Sequence, residues 1–182
     1  MPYEALQDES EFDAFIEIVK SSGATSYLEI GSKFGGSLWR MANALPVGSK
    51  IVSVDMPVGD SDKQLSKCIK ELNSTGYDAH LILGSSTDDH VKSLVRSFAP
   101  FDVCFIDANH TEPFVRHDWG FYGPMCNIVA FHDIGWKRAT RTGRLPIEVK
   151  KVWDEIKGPY RHKEILSSPD QTDNGIGVLW RN

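Results

Sequence analysis

Residues 27–55 read YLEIGSKFGGSLWRMANALPVGSKIVSVD, and this stretch decides the fold class. An apolar run ends in Glu29 and Gly31, and a loop with two further glycines follows it. A helix-like segment then leads into a second apolar run, which ends in Asp55. Short apolar runs that alternate with helical segments are typical of parallel strands covered on both faces. The stretch therefore predicts a strand, a glycine loop, a helix and a second strand of a doubly wound α/β sheet.

The same alternation continues on both sides of this stretch. An opening helix over residues 9–23 is predicted by apolar side chains at helical spacing and by a glycine at its end. Further apolar strands are predicted within 79–86, 101–110 and 127–134, with helical segments between them. We expect one Rossmann-like domain over residues 1–182, mostly parallel, with the last two apolar runs, 160–167 and 175–181, forming an antiparallel hairpin at one edge.

Composition narrows the class of protein. The 182 residues carry a net charge of −5, which argues against a protein that binds nucleic acid by neutralising phosphates. No run approaches the roughly 20 apolar residues of a membrane span, and the first ten residues lack the basic start of a secretory signal. We therefore expect a cytoplasmic protein without membrane contact. The three widely spaced cysteines are expected to be reduced, buried thiols.

Polar and glycine residues gather at the ends of the predicted strands. In an open parallel sheet, ligands bind outside the carboxyl ends of the strands, at the point where the connections diverge to opposite faces. The candidate binding residues are therefore those that end the five parallel strands: Glu29 and Gly31; Asp55; Gly84, Ser85 and Ser86; Asp107; and His132 and Asp133.

The glycine loop and Asp55 together indicate the cofactor. Asp55 lies 24 residues after Gly31, near the spacing at which an acid binds ribose hydroxyls. The loop reads G-S-K-F-G-G, so Lys33 stands where the dinucleotide fingerprint keeps its middle glycine for the pyrophosphate. S-adenosylmethionine has the ribose without a pyrophosphate, and glycines would admit its methionine part closely. The alternative is a tight strand-to-helix turn that needs glycine only for positive φ.

Three segments carry a resemblance to a known family: LEIGSKFGGS, VSVDMP and FIDANHTEPFVRHDWGFYGPMCNIVAFHDI. They resemble class I S-adenosylmethionine-dependent methyltransferases, in particular the small-molecule O-methyltransferases of the macrocin and cephalosporin-tailoring type. The resemblance spans residues 25–135. The third segment is the most specific, because an acid, a nearby histidine, a helix and a strand ending in FHD follow one another in order.

The resemblance implies roles for individual residues. Divalent-ion ligands fall on Asp107, His132 and Asp133, and His132 departs from the acidic or amide group that many members have there. Carboxylates suit magnesium, whereas an imidazole shifts the preference toward manganese, iron or zinc. Cofactor contacts fall on Glu29, Gly31, Ser37, Asp55, Gly84, Ser85, Ser86 and Asp107.

The candidate catalytic residues are Asp107, His110, His132 and Asp133. His110 has the ordinary pKa of a base that works near neutral pH. Each residue also has a structural interpretation: Asp107 as a cap of the helix that begins near residue 111, His110 as a surface histidine, His132 as a satisfied buried histidine, and Asp133 as a cap of the next segment.

The expected function is methyl transfer from S-adenosylmethionine to a hydroxyl oxygen of a small molecule. The alternatives are a nicotinamide-dependent oxidoreductase, which would use Asp55 equally well, and a catalytically idle binding module.

Residues 135–146 place four cations after the strand that ends in His132, and Trp136 is a candidate wall of the substrate site. We expect this segment, or a second copy of the chain in a homodimer, to cover the substrate, and the segment to select an anionic acceptor; the alternative is an exposed charged loop. The four cations are Lys137, Arg138, Arg141 and Arg144.

Overall fold

The computed structural model describes residues 2–56, 59–136 and 146–181. In these ranges, seven strands and six α-helices follow the predicted order. The strands are β1 Ser26–Ile30, β2 Lys50–Asp55, β3 Asp78–Leu83, β4 Phe101–Ile106, β5 Cys126–His132, β6 Arg161–Ile165 and β7 Ile176–Trp180. The helices are α1 Glu9–Ser21, α2 Gly36–Ala44, α3 Ser61–Ser74, α4 Asp89–Phe98, α5 Glu112–Tyr122 and α6 Val149–Ile156.

All seven strands belong to one sheet, in the order β3-β2-β1-β4-β5-β7-β6. Strands β1 to β5 are parallel, whereas β7 runs antiparallel to both β5 and β6. The chain moves outward from β1 to β3 on one side and from β4 to β6 on the other, so the order reverses between β1 and β4. The predicted fold class is confirmed, including the antiparallel hairpin at one edge.

Helices cover both faces of this sheet. Helices α1, α2 and α3 pack with Tyr27, Ile51 and Phe105 on one face. Helices α4, α5 and α6 pack with Leu28 and Val52 on the other. Because neighbours along a strand point to opposite faces, burial on both faces requires apolar side chains at almost every strand position.

All three cysteines are free and buried, as predicted. No helix in the described ranges is both long enough and apolar enough to cross a bilayer.

Candidate active site

The site lies where the strand order reverses, at the carboxyl ends of β1 and β4. Gly31 follows β1 with φ 93°, and a Cβ there would stand 2.4 Å from the main-chain oxygen of Asp107. A direct contact of this glycine with the methionine part of a cofactor stays a prediction. The space beside its Cα is filled by the main chain of Asp107 and Ala108, so packing between the two strand ends requires glycine here.

The loop after Gly31 is held to the end of β2. Lys33 has φ 48°, a left-handed conformation that is uncommon for a residue other than glycine. Its main-chain N–H donates to Oδ2 of Asp55 over 2.5 Å. Burial raises the pKa of Asp55, although the N–H groups of Lys33 and Ser32 favour the charged carboxylate. The predicted ribose acid therefore already binds the glycine loop.

Glu29 supports the loop from beneath. Its carboxylate is fully buried and accepts hydrogen bonds from the Tyr27 hydroxyl at 2.5 Å and the Ser37 hydroxyl at 2.7 Å. Burial raises the pKa of Glu29 to about 7, against the effect of these hydrogen bonds. Ser37 lies in the first turn of α2, so Glu29 joins β1 to the start of that helix. A direct contact of Glu29 or Ser37 with a cofactor stays a prediction.

The turn after β3 lies at the same edge of the sheet. Gly84 adopts φ 150°, and the main-chain N–H of Ser85 donates to Asp88 Oδ2 over 3.2 Å. Ser86 is buried, and its carbonyl accepts a hydrogen bond from the Tyr122 hydroxyl at 2.6 Å. The turn is thus held to α5 on the far face of the sheet.

Asp107, His110, His132 and Asp133 converge at the ends of β4 and β5. His110 lies between the two carboxylates, with Nε2 at 3.0 Å from Asp107 Oδ1 and Nδ1 at 3.1 Å from Asp133 Oδ2. His132 Nδ1 lies 3.2 Å from Asp107 Oδ1 and 3.3 Å from Asp133 Oδ1. We call these four residues the His/Asp cluster.

The pKa shifts in the His/Asp cluster follow from its charges. Burial alone would raise the pKa of Asp107, but the charge of His132 and hydrogen bonds from both histidines hold it well below its usual range. Burial would lower the pKa of His132, yet the carboxylates of Asp107 and Asp133 raise it to about 9. The pKa of His110 is also raised, because contacts with Asp107 and Asp133 outweigh the effect of burial. These contacts therefore favour a charged Asp107 and charged imidazoles.

Two structural interpretations of these residues are wrong. Asp107 does not cap α5, because the N-cap residue is Thr111, whose N–H and hydroxyl both donate to Asn109 Oδ1. His110 is not a surface histidine, because only 27% of its side chain is exposed.

Asp133 is held in an unusual backbone conformation. Its φ is 65°, in the left-handed region. Its side chain accepts a hydrogen bond from the Trp136 indole N–H, with 2.8 Å between Nε1 and Oδ1. Asp133 therefore faces both histidines of the His/Asp cluster and the predicted substrate-wall tryptophan.

The predicted metal ligands are close together, but their arrangement does not fit a cation. In the described part of the chain, no group of three or more His, Cys, Asp and Glu side chains could hold a metal ion. The ligand atoms of Asp107, His132 and Asp133 instead face one another and His110 at nitrogen–oxygen distances of 3.0–3.3 Å.

Two residues near the site were not predicted from the sequence. Gln7 precedes α1, and its amide donates to Asp107 Oδ2 over 2.5 Å. Gln7 Oε1 and His132 Nε2 are buried without a hydrogen-bond partner among the described residues. Glu11 is buried on α1 and binds the loop between β6 and β7. The one sequence feature that could have drawn attention to Glu11 is a charged residue next to the core position Phe12.

The N-terminal segment (residues 2–8) lies along this side of the molecule. The Tyr3 hydroxyl donates to Glu71 at 2.5 Å, and its ring lies 5.4 Å from that of Trp39. A Cβ on Gly36 would stand 2.2 Å from the carbonyl oxygen of Glu4. The segment thus passes directly over the start of α2 and reaches Asp107 through Gln7.

The predicted basic lid falls mostly outside the described residues. Gly135, Trp136 and Pro146 are described, whereas residues 137–145 are not. The four cations of that prediction therefore lie outside the described residues.

Comparison with known proteins gives a family for most of this fold. A family model described as a methyltransferase domain matches residues 28–134, from β1 to the turn after β5. A search of curated proteins gives no match.

Solved structures resemble the whole chain in fold. An O-methyltransferase from Bacillus cereus, in complex with S-adenosylhomocysteine, has a TM-score of 0.73 and 14% identity over 96% of this chain and 82% of its own. TomG, an O-methyltransferase of tomaymycin synthesis from Streptomyces achromogenes in complex with S-adenosylmethionine, has a TM-score of 0.72 and 16% identity over 95% and 80%. A putative caffeoyl-CoA O-methyltransferase from Staphylococcus aureus has a TM-score of 0.73 and 16% identity over 97% and 85%. At these identities the likeness establishes the fold.

Proposed function

The chain belongs to the methyltransferase domain family, and on this premise we propose that it transfers the methyl group of S-adenosylmethionine to a hydroxyl oxygen of a small molecule. The observation that carries the proposal is the position of His110 between Asp107 and Asp133, at the same edge of the sheet as the glycine loop and Asp55. A histidine that can act as a base once its ring is neutral thus lies next to the predicted cofactor site. The finer assignment to the macrocin and cephalosporin-tailoring branch rests on sequence resemblance.

The cofactor site of this proposal is the crevice between β1 and β4. Asp55 would accept the ribose hydroxyls, and the turn at 84–86 would face the adenine. The methionine part would lie between the loop after Gly31 and Asp107. Support comes from the fold, since ligands of doubly wound sheets bind where the strand order reverses.

The proposed chemistry needs little from the protein beyond positioning and proton removal. The acceptor oxygen attacks the methyl carbon in line, the carbon–sulfur bond breaks, and the sulfonium becomes a neutral thioether. Holding the two groups in contact supplies much of the rate, and His110 takes the hydroxyl proton. In the observed arrangement both ring nitrogens of His110 face carboxylates, which only a doubly protonated ring satisfies. The acceptor hydroxyl must therefore displace one carboxylate and meet the neutral ring.

Assistance by magnesium or manganese is a separate proposal, and no step above depends on it. It is supported by the family resemblance, while the observed ion pairs oppose it, because a cation would have to displace His110 from between Asp107 and Asp133. Calorimetry with manganese alone, on the protein and on Asp133→Ala, tests it. Binding that is lost in the variant supports a metal role, whereas absent or equal binding rejects one.

Two further proposals concern the class of acceptor and the oligomeric state. An anionic acceptor is favoured by the four cations between residues 137 and 144. A second copy of the chain would cover the substrate if this segment does not.

The test begins with calorimetry of S-adenosylmethionine, S-adenosylhomocysteine and NAD against the purified protein. We expect binding of the first two and none of NAD, since Lys33 stands at the position of the pyrophosphate glycine. Transfer of a labelled methyl group to a panel of phenols, catechols and hydroxy acids then identifies the acceptor class. Tight binding of NAD alone would instead support the oxidoreductase. Cofactor binding without transfer to any acceptor would favour the idle module.

A further inference from the structure

Glu11 is a buried carboxylate whose hydrogen bonds all lie outside the His/Asp cluster, although its charge helps to raise the pKa of His132. It lies on α1 with 1% exposure, next to Asp8, which caps that helix by accepting the N–H groups of Ser10 and Glu11. An uncompensated buried charge is costly, so the partners of such a carboxylate have to be found. All of those described lie more than 150 positions away along the chain.

The partners of Glu11 all belong to the loop that joins β6 to β7. Oε1 accepts the main-chain N–H of Ser167 at 3.0 Å and the side-chain amide of Gln171 at 2.8 Å. Oε2 accepts the main-chain N–H of Gly175 at 2.8 Å. Three donors on one carboxylate form charge-assisted hydrogen bonds, which are stronger than neutral ones. Glu11 therefore fixes both ends of this loop, which we call the β6–β7 loop (residues 166–175).

The β6–β7 loop in turn holds the turn that carries Asp133. The ladder between β5 and β7 ends at the pair His132 and Ile176. Beyond it, the N–H of Ile134 donates to the carbonyl of Gly175 at 3.3 Å, and the N–H of Gly135 donates to that of Asn174 at 2.7 Å. A Cβ on Gly135 would stand 2.6 Å from the carbonyl oxygen of Asp173, so the two segments are in close contact.

The contact of the β6–β7 loop with Ile134 and Gly135 helps to hold the backbone of Asp133. A left-handed φ at a residue other than glycine persists only when its surroundings fix it. The β6–β7 loop supplies that support on one side, and the Trp136 indole supplies it on the other. The orientation of the Asp133 carboxylate toward His110 therefore depends on a loop that Glu11 anchors.

We propose that Glu11 is a positioning residue, which acts through the β6–β7 loop to hold Asp133 against His110. The catalytic consequence rests on the proposed function, whereas the structural coupling from Glu11 to the turn at 133–136 does not. Glutamine at this position keeps the size of the side chain but has one acceptor oxygen. Its amide group would face at least one N–H donor of the loop.

The test uses Glu11→Gln and Glu11→Ala, with Glu17→Gln as the matched control. Glu17 is an exposed acid of the same helix, paired with Lys20. Hydrogen exchange of the amides of Ile134 and Gly135 should become about tenfold faster in both Glu11 variants, as expected for local opening. The indole N–H resonance of Trp136, assigned through Trp136→Phe, should shift in the same variants. Neither signal should change in Glu17→Gln.

Cofactor affinity separates this effect from general damage. The dissociation constant of S-adenosylhomocysteine should stay within about twofold, because the glycine loop and Asp55 lie on other strand ends. Where an acceptor is known, kcat should fall about tenfold or more, since small misplacements of catalytic groups are costly. If Glu11→Ala does not fold, Gln171→Ala removes one of the three contacts from the loop side and should show the same shifts.

Two outcomes would overturn the proposal. The first is a lower melting temperature in Glu11→Gln with the exchange of Ile134 and Gly135 and the Trp136 resonance unchanged, which would make Glu11 a purely structural residue. The second is full kcat in a variant whose turn is demonstrably released. Because exchange and resonance measurements need no turnover, failure to find an acceptor would count against the proposed function and leave this coupling testable.

Discussion

The carboxylate of Asp55 accepts the main-chain N–H of Lys33, with 2.5 Å between nitrogen and Oδ2. This contact explains how the loop turns tightly without the middle glycine of a dinucleotide fingerprint. The left-handed conformation of Lys33 turns its N–H toward the end of β2. The cation of Lys33 lies 5.3 Å from the centre of the Phe34 ring. Asp55 thus has a structural role in the loop and a predicted role toward the ribose.

Replacement of Asp55 should weaken cofactor binding. We expect Asp55→Ala to raise the dissociation constant of S-adenosylhomocysteine by about 10- to 150-fold, or about 1.5 to 3 kcal/mol, through loss of hydrogen bonds to a charged acceptor. Calorimetry measures this directly. Asp55→Asn is the matched control, because it keeps one oxygen for the N–H of Lys33 and should lose less. Unchanged affinity in Asp55→Ala would remove Asp55 from the cofactor site.

Replacement of His110 should affect turnover more than cofactor binding. His110→Gln removes the proposed base, so we expect kcat to fall by about 10²- to 10⁴-fold, the usual range for a lost general base. The affinity for S-adenosylhomocysteine should change by less than about threefold. His90→Gln, an exposed histidine of α4, is the control. Full activity in His110→Gln would leave positioning alone as the source of the rate.

The charge of Asp133 should set the pH at which His110 becomes active. A histidine that acts as a base must be neutral. Because the carboxylates of Asp107 and Asp133 raise the pKa of His110, activity should rise with pH and reach its plateau at a higher pH than it would with an ordinary histidine. Asp133→Asn removes one of these charges and should move the rise to lower pH. The pH profile of kcat/KM shows the shift. A profile that moves to higher pH, or stays in place, would contradict the assignment.

The sequence predicted the sheet well because the inner parallel strands β1, β2, β4 and β5 are mostly apolar on both faces and stand out from the helices between them. It also predicted that the strand-end residues would meet, since neighbouring parallel strands end at one edge. It did not reveal the role of Glu11, because its contacts are with main-chain N–H groups far away in the chain, which leave no pattern in residue types. Gln7 was missed for the same reason, since a lone amide before a helix resembles any exposed polar residue.

The roles of two glycines also could not be derived from the sequence alone. The pattern predicted glycines for a cofactor, whereas Gly31 and Gly36 each face the main chain of another segment. Both uses require a missing Cβ, so the sequence alone cannot separate them. The folded chain shows the packing need at both positions, and the cofactor contact stays a prediction.

Glu29 should make stability depend on pH. Its pKa is about 7 in the folded protein, against an ordinary value of 4.5, so the folded state binds this proton more tightly. The resulting stability is fully present below about pH 4.5 and is lost as the pH rises through 7. At about 1.4 kcal/mol per pKa unit, the loss is roughly 3 kcal/mol. The free energy of unfolding of Glu29→Gln, measured in urea relative to that of the unmodified protein, should therefore increase between about pH 5 and pH 8.

The control for Glu29 is an exposed acid of α1, Glu9→Gln, whose stability should follow that of the unmodified protein across the same range. If the Glu29→Gln protein also runs parallel to the unmodified one at every pH, then Glu29 is charged in the fold. Its hydrogen bonds from Tyr27 and Ser37 would in that case compensate its burial fully.

Gly36 should respond to substitution in opposite directions with and without the N-terminal segment. In the full chain, Gly36→Ala would place a Cβ 2.2 Å from the Glu4 carbonyl oxygen, which forces residues 2–8 away from α2. The contacts of Tyr3 with Glu71 and of Gln7 with Asp107 would weaken, so the substitution should destabilise. In a chain that begins at Asp8, the same alanine meets no segment and should stabilise α2 by up to about 1 kcal/mol, the difference in helix propensity. Urea unfolding of the four proteins gives the coupling directly. Equal destabilisation in both backgrounds would place the cost within α2 itself and would show that the segment is not packed against Gly36 in solution.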